Sequence, residues 1–310
     1  MRRPLRVAFF GTPPVAVPSL EALAVADDVE VVAVVTNPDR PRGRSGRPVA
    51  PPVKVAAEQR GLPLLQPTRP VEVADRLGAL ELDAVAVVAY GSILPERLLA
   101  VAEQRYVNLH FSLLPRWRGA APVQHALRAG DRTTGVTTFV LDAGMDTGPI
   151  LDQVTVQVAA DETAGELAER LAVIGAPVLV RGLRRLCDGA TPTPQPEVGV
   201  TYAPKVRPED VAIDWESPAR TIVDLVRAAN PSPGAHTVFR GERLKVWRAR
   251  TTEGAGVPGE LLWAEGTGPV VAARDGAVVL VEVQPAGRAR MDARAFVNVY
   301  RPQPGERLGA

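Results

Sequence analysis

The order in which apolar runs occur along the chain constrains the fold more than any other feature. Short Val-rich runs occupy residues 5–10, 29–35, 84–89 and 106–109, and their length and β-branched content predict buried strands. Helical spacing fills the intervals at residues 15–26, 53–60, 71–80 and 96–103. Strand and helix in alternation imply a parallel sheet covered on both faces, an α/β domain. Residues 136–141 and 150–158 add two β-like runs. Residues 163–187 then predict one long helix with Leu167, Leu171, Ile174 and Leu183 on its inner side, kinked or split at Pro177.

The chain is longer than one domain usually needs, 310 residues, so a second domain is expected. The text DGATPTPQPE at residues 188–197 has prolines at alternating positions and predicts an extended spacer. The boundary falls there, with a catalytic domain at 1–189, a linker at 190–207 and a small domain at 208–310. Beyond the linker, one amphipathic stretch at 218–229 precedes short β-patterned runs at 237–240, 243–247, 259–263, 270–273 and 277–283. Gly-rich breaks between them suit a small antiparallel barrel.

Composition removes several function classes. With 46% hydrophobic and 23% charged residues and no apolar run near the ~20 residues that cross a bilayer, no membrane role is expected. The opening MRRPLRVAFFGTPP is interrupted by Arg6 and predicts a first strand, not a signal. Cys187 stands alone, which excludes an intrachain disulfide and suits a reducing, cytoplasmic setting. His110, His125 and His236 show no ligand spacing, so no metal is expected. The net charge of +1 means that any nucleic-acid contact must rest on local patches.

Chemistry-bearing residues gather near the ends of the predicted strands. Gly11-Thr12-Pro13-Pro14 lacks the spaced glycines of a dinucleotide fingerprint, and its prolines cannot donate N–H groups to a pyrophosphate. Asn108 and His110 lie two apart on one strand and project from the same face at its carboxyl end, where open α/β sheets bind ligands. Asp146 sits in LDAGMDTGP, where Gly144 and Gly148 permit a sharp turn and close approach to other segments. A hydrogen-bonded core histidine and a turn-capping Asp142/Asp146 pair are the plainer readings. Together, an amide, an imidazole and a carboxylate suit acyl transfer to an amine. Asn108 can bond the oxygen that becomes negative, His110 can stabilise that charge or shuttle a proton, and Asp146 can orient the imidazole or help deprotonate the amine.

NLHFSLLPRWRGAAP and LDAGMDTGPIL resemble the signatures of the methionyl-tRNA formyltransferase family. GTPPVAVPSLEAL, TNPDRPRGRSGRP, VVAYGSILP and VTYAPKV followed by IDW also resemble that family's motifs in their order. The resemblance implies an N-terminal Rossmann-like formyltransferase domain with a parallel-rich sheet and a C-terminal OB-like β-barrel that binds tRNA. It implies 10-formyltetrahydrofolate as co-substrate, initiator methionyl-tRNA as acceptor, and Asn108, His110 and Asp146 as catalytic. Tyr90, Gly91, Ile93, Ser112, Leu113, Leu114 and Pro115 would line the folate site. Arg40, Arg42, Arg44, Arg47, Lys205, Arg243 and Lys245 would meet tRNA, with Arg44 near the acceptor end. A monomer working in translation initiation is the expected form.

Two positions depart from the family pattern: Phe111 replaces a usually small residue, and Arg105 a common glycine. Strand alternation turns Phe111 away from Asn108 and His110, so an effect on packing is expected. The nearest rival is a formyltransferase acting on a small amine, which would need no RNA-binding domain. A non-catalytic RNA- or folate-binding protein is the rival from another class.

Overall fold

The computed structural model describes residues 3–41, 46–102, 105–263 and 268–309. In chain order the elements are β1 (Leu5–Gly11), α1 (Val17–Ala24), β2 (Val29–Val35), β3 (Arg40–Pro41), β4 (Pro48–Val49), α2 (Pro52–Gln59), β5 (Leu64–Leu65), α3 (Ala74–Gly78), β6 (Ala84–Val88), α4 (Glu96–Leu99) and β7 (Tyr106–His110). There follow α5 (Pro122–Arg128), β8 (Thr133–Val140), β9 (Ile150–Gln157), α6 (Ala164–Cys187), α7 (Ala219–Ala228), β10 (Ala235–Phe239), β11 (Glu242–Thr252), β12 (Leu261–Trp263), β13 (Val270–Ala273), β14 (Gly276–Pro285), β15 (Met291–Asp292) and α8 (Ala293–Tyr300).

The chain divides into two compact units. The first comprises Met1–Pro122, Thr133–Gln157 and Ala168–Tyr202, and the second Val123–Arg132, Val158–Leu167 and Ala203–Ala310. The segment expected as a free spacer is held along the first unit as far as Tyr202. Thr193 and Ile150 exchange backbone hydrogen bonds at 2.7 and 2.8 Å, and Arg118 N donates to Thr201 O at 2.9 Å. Two short segments from the catalytic half belong with the second unit. There Gly165 N donates to Asn230 O at 3.0 Å, and Arg248 pairs with Glu166. Neither association leaves a compositional mark.

In the first unit a seven-stranded sheet runs in the order β5-β2-β1-β6-β7-β8-β9. β5, β2, β1, β6 and β7 are parallel, whereas β8 is antiparallel to β7 and β9 to β8. The parallel strands carry the burial expected of a sheet covered on both faces: β6 is buried throughout, and Val7, Ala8, Phe9 and Phe10 of β1 are fully buried. β9 instead alternates half-buried and exposed residues, as a one-sided edge strand does. A capping box starts α6, since Thr163 N donates to Glu166 Oε2 at 2.9 Å and Glu166 N to Thr163 Oγ1 at 3.3 Å. Pro177 does not split the helix. Pro177 and Val173 both lie on its exposed side, where water can reach the Val173 carbonyl that the proline leaves without a donor. The helices expected at 71–80 and 96–103 are each half α and half 3-10, with turns at Pro70–Val73 and Ala100–Ala102.

The second unit is built on an antiparallel sheet ordered β10-β11-β14-β13-β12, with β15 beside β14. Residues 306–309 close it into a barrel. Leu261 N donates to Glu306 O at 2.7 Å, Leu308 N to Gly259 O at 2.8 Å and Gly309 N to Val238 O at 2.8 Å, so this segment pairs with both sheet edges. Inside lie Leu244, Val246, Val271, Val278, Leu280, Val283, Phe296 and Leu308, and α7 covers them with Ile222, Val223 and Val226. Because Leu308 is 5% exposed and sits on the closing segment, Leu308→Ala should cost about 2–4 kcal/mol in denaturant-induced unfolding. An unchanged midpoint would show that closure contributes little.

Candidate functional site

β7 brings Asn108 and His110 to the carboxyl edge of the sheet. Its register pairs Val87 of β6 with Asn108, and Thr137 of β8 with His110. Above these strand ends opens a cavity of about 610 Å³, lined by the ends of β6 and β7, the segment after β6 and the loop at 141–146. His110 is 6% exposed. Its Nε2 lies 2.8 Å from the Trp117 carbonyl, and since a carbonyl only accepts, Nε2 carries the proton in the neutral ring. Nδ1 faces the Asp146 carboxylate at 3.7 Å. Burial pushes the imidazole pKa below its ordinary value, and the nearby carboxylate opposes that shift without reversing it.

The loop that carries Asp146 depends on close backbone approach. A Cβ at Gly148 would sit 1.8 Å from the Val140 carbonyl oxygen, so only glycine fits there. Asp142 Oδ1 accepts from Gly144 N at 3.0 Å and Thr147 Oγ1 at 2.7 Å, and so caps the turn. Asp146 does not share that task. It adopts a left-handed φ of 55°, and its Oδ2 accepts from Gly119 N at 2.7 Å while facing His110. Among the described residues the Asn108 side-chain amide has no hydrogen-bonding partner, and it lines the same cavity.

Of the residues expected at a folate site, Tyr90, Gly91 and Ile93 line this cavity, whereas Ser112, Leu113, Leu114 and Pro115 do not. Ser112 Oγ instead donates to Arg116 O at 2.6 Å, and Leu114 N donates to Thr137 Oγ1 at 3.1 Å, which makes this turn a support behind the wall. Phe111 follows β7, which ends at His110; it is 9% exposed and is among the residues around the cavity, as is Leu109 between Asn108 and His110. Arg105 precedes β7, and its carbonyl accepts from Val85 N at 2.9 Å. Burial pushes the Tyr90 hydroxyl up to about 12, and among the described residues that hydroxyl has no partner.

The basic residues fall in different places. Arg40, Arg47 and Lys205 are exposed, while Arg42 and Arg44 lie outside the described residues. The root of that arginine loop is anchored: Lys54 Nζ meets Asp39 at 2.8 Å, and Asn37 Nδ2 donates to Tyr90 O at 2.9 Å. On the barrel, Arg243 contacts His236 at 3.1 Å, and Lys245 lies 5.2 Å from the centre of the Trp247 ring. Arg290, which sequence spacing did not associate with them, stacks on Trp247 at 3.5 Å. Only the pairing of β14 with both β11 and β15 brings it near. Among the described residues no group of acidic, histidine or cysteine side chains could hold a metal ion, and no helix is long and apolar enough to cross a membrane.

A nuclear magnetic resonance titration of His110 should therefore give a midpoint below the ordinary imidazole value of about 6.5. Asp146→Asn should lower it further, because removing the carboxylate leaves burial unopposed. A midpoint above the ordinary value would mean that the carboxylate outweighs burial.

Known proteins share both the sequence and the fold. The family described as "Formyl transferase" matches residues 5–183, and that described as "Formyl transferase, C-terminal domain" matches residues 205–301. A protein of Symbiobacterium thermophilum named methionyl-tRNA formyltransferase is 46% identical, over 98% of this chain and 95% of its own. One of the same name from Streptomyces griseus is 45% identical, over 98% of this chain and all of its own. Among solved structures, an N-formyltransferase of Helicobacter canadensis, in complex with folinic acid and dTDP-3-aminofucose, aligns with a TM-score of 0.68 at 18% identity, over 91% of this chain and 99% of its own. HypX of Aquifex aeolicus, in complex with tetrahydrofolic acid, aligns at 0.65 and 18% identity; 97% of this chain is covered, spanning about half (48%) of HypX. The chain belongs to the formyl transferase family and, within it, to the methionyl-tRNA formyltransferases.

Proposed function

We propose that this chain, a cytoplasmic monomer, transfers the formyl group of 10-formyltetrahydrofolate to the α-amino group of methionyl-initiator-tRNA, giving N-formylmethionyl-tRNA for translation initiation. The observation that carries the reading is a buried imidazole 3.7 Å from a carboxylate, lining one cavity with an amide that has no partner among the described residues. A cavity of about 610 Å³ suits a folate-sized molecule. Val87, Leu94, Leu99, Leu141 and Met145 give it apolar walls, to which Tyr90, Gly91 and Ile93 add. The folate supplies the formyl carbon that the amine attacks and the nitrogen that leaves.

The chain's own groups act on charge and protons. The Asn108 amide donates to the formyl oxygen as that atom gains negative charge; a donor of this kind is worth roughly 10²–10³ in turnover. His110, neutral at rest because it is buried, accepts the amine proton at Nδ1. The resulting cation is stabilised by Asp146 on one side and by the Trp117 carbonyl on the other, and it gives the proton to the departing nitrogen as the old carbon–nitrogen bond breaks. No covalent enzyme intermediate is required, because a neutral α-amino group is already a good nucleophile. Arg40, Arg42, Arg44, Arg47 and Lys205, with Arg243 and Lys245 beside His236 and Arg290 on the barrel, supply the cationic groups for an RNA backbone. A small amine would not need them.

His110→Ala should retain tRNA binding and lose at least about a hundredfold in turnover. A formyl-transfer assay offering methionyl-tRNA and small amines together checks both halves of the reading, and activity confined to small amines would sink it. Affinity for methionyl-tRNA should fall steeply with salt, and Arg243→Ala should reduce the log–log slope by about 1. A salt response that Arg243→Ala leaves unchanged would remove that residue from the RNA surface.

A further inference from the structure

The segment that composition marks as a spacer runs past the catalytic loop and is hydrogen-bonded to it. Gln195 lies between two fixed points, the exchange of hydrogen bonds between Thr193 and Ile150 and the bond from Trp117 N to Thr201 Oγ1 at 2.8 Å. Its Nε2 donates to two carbonyls of the aspartate loop, Asp146 O and Gly148 O, each at 2.8 Å. Its Oε1 accepts from Arg118 Nε at 3.0 Å and Arg118 Nη2 at 2.6 Å. That double acceptance fixes which end of the amide faces the loop, because guanidinium groups only donate.

The geometry points to Gln195 as a positioning residue that holds the Asp146 backbone so that its carboxylate faces His110. Three observations converge on it. Asp146 occupies the left-handed region at φ 55°, a conformation that persists only where neighbours enforce it. Gly148 is packed against Val140 with no room for a Cβ, so one of the two carbonyls bonded by Gln195 belongs to the tightest point of the loop and the other to Asp146 itself. Arg118, which orients the Gln195 amide, lies between Trp117 and Gly119, whose backbone groups bond His110 and Asp146 respectively. One side chain thus ties the Asp146 loop to the turn that completes the site. Gln195 is not among the residues that line the cavity. The inference rests on the role proposed above for Asp146.

Turnover and both KM values, measured for the full chain carrying Gln195→Ala or Gln195→Glu, test it in wild-type and Asp146→Asn backgrounds. Displacing a catalytic group by about 1 Å costs on the order of a hundredfold, so Gln195→Ala should lower kcat by about ten- to a hundredfold. Both KM values should stay within about twofold, as expected of an interaction that acts on the transition state. Gln195→Glu keeps the shape and the acceptor for Arg118 but has no amide N–H, so it should be no better, even if Gln195→Ala folds poorly. In the Asp146→Asn background neither change should cost more, because the two residues act as one unit. Unchanged kcat in a folded Gln195→Glu protein, or losses that add to those of Asp146→Asn, would overturn the inference alone. Wild-type turnover in Asp146→Asn itself would overturn the role of Asp146, and the inference with it.

Discussion

The double pairing of β7 is the constraint on which the rest of the first unit depends. Parallel β6 holds one edge and antiparallel β8 the other, so the strand cannot slip without breaking two ladders. A slip of one residue would turn Asn108 and His110 to the opposite face together. Past the end of the strand, Thr137 of β8 continues the restraint. Its hydroxyl donates to Ser112 O at 2.7 Å and accepts from Leu114 N at 3.1 Å, while Gln153 Nε2 donates to it at 2.9 Å. The turn behind the cavity is therefore as closely specified as the strand that leads into it.

Burying an imidazole is costly unless its nitrogens are satisfied, at about 1–3 kcal/mol for an unpaired polar group. The turn at 116–119 meets most of that cost for both ionisable partners, giving a carbonyl to His110 and an N–H to Asp146. Trp117 adopts a left-handed φ of 65° in doing so, a conformation worth about 1–3 kcal/mol of strain in a non-glycine residue. The ring stays uncharged at rest because burial outweighs a carboxylate that lies beyond hydrogen-bond range. A closer carboxylate would favour the cation and remove the capacity to take up a proton.

Much of this was legible in the sequence, for identifiable reasons. β1, β2, β6 and β7 are short apolar runs followed by turn residues, and the spacing of Leu167, Leu171, Ile174 and Leu183 marks α6. Asn108 and His110 followed from strand period, and Asp146 from the glycines around it. Alternation with helices gave the direction of the parallel strands, but that of β8 and β9 was not legible, since no helical pattern separates them and a β-patterned run reads the same in either direction. Arg290 and Gln195 could not be found from spacing at all. Each reaches its partners through long-range pairing, one by the β14–β15 hairpin and the other by a proline-rich segment whose composition suggests only extension.

Among the described residues, those that bond or flank the proposed reacting centre, from Asn108 to Gln195, belong to the first unit, while Lys245 and Arg290, the two cations over the Trp247 ring, belong to the second. The part of the proposed RNA surface that lies on the barrel is thereby separate from the proposed chemistry, whereas Arg40 and Arg47 share the first unit with it. Substitutions on the barrel could drift toward a different acceptor without disturbing an imidazole whose protonation depends only on its own walls. A lineage could thus exchange one amine for another by remodelling a surface while keeping the same reaction at the end of β7.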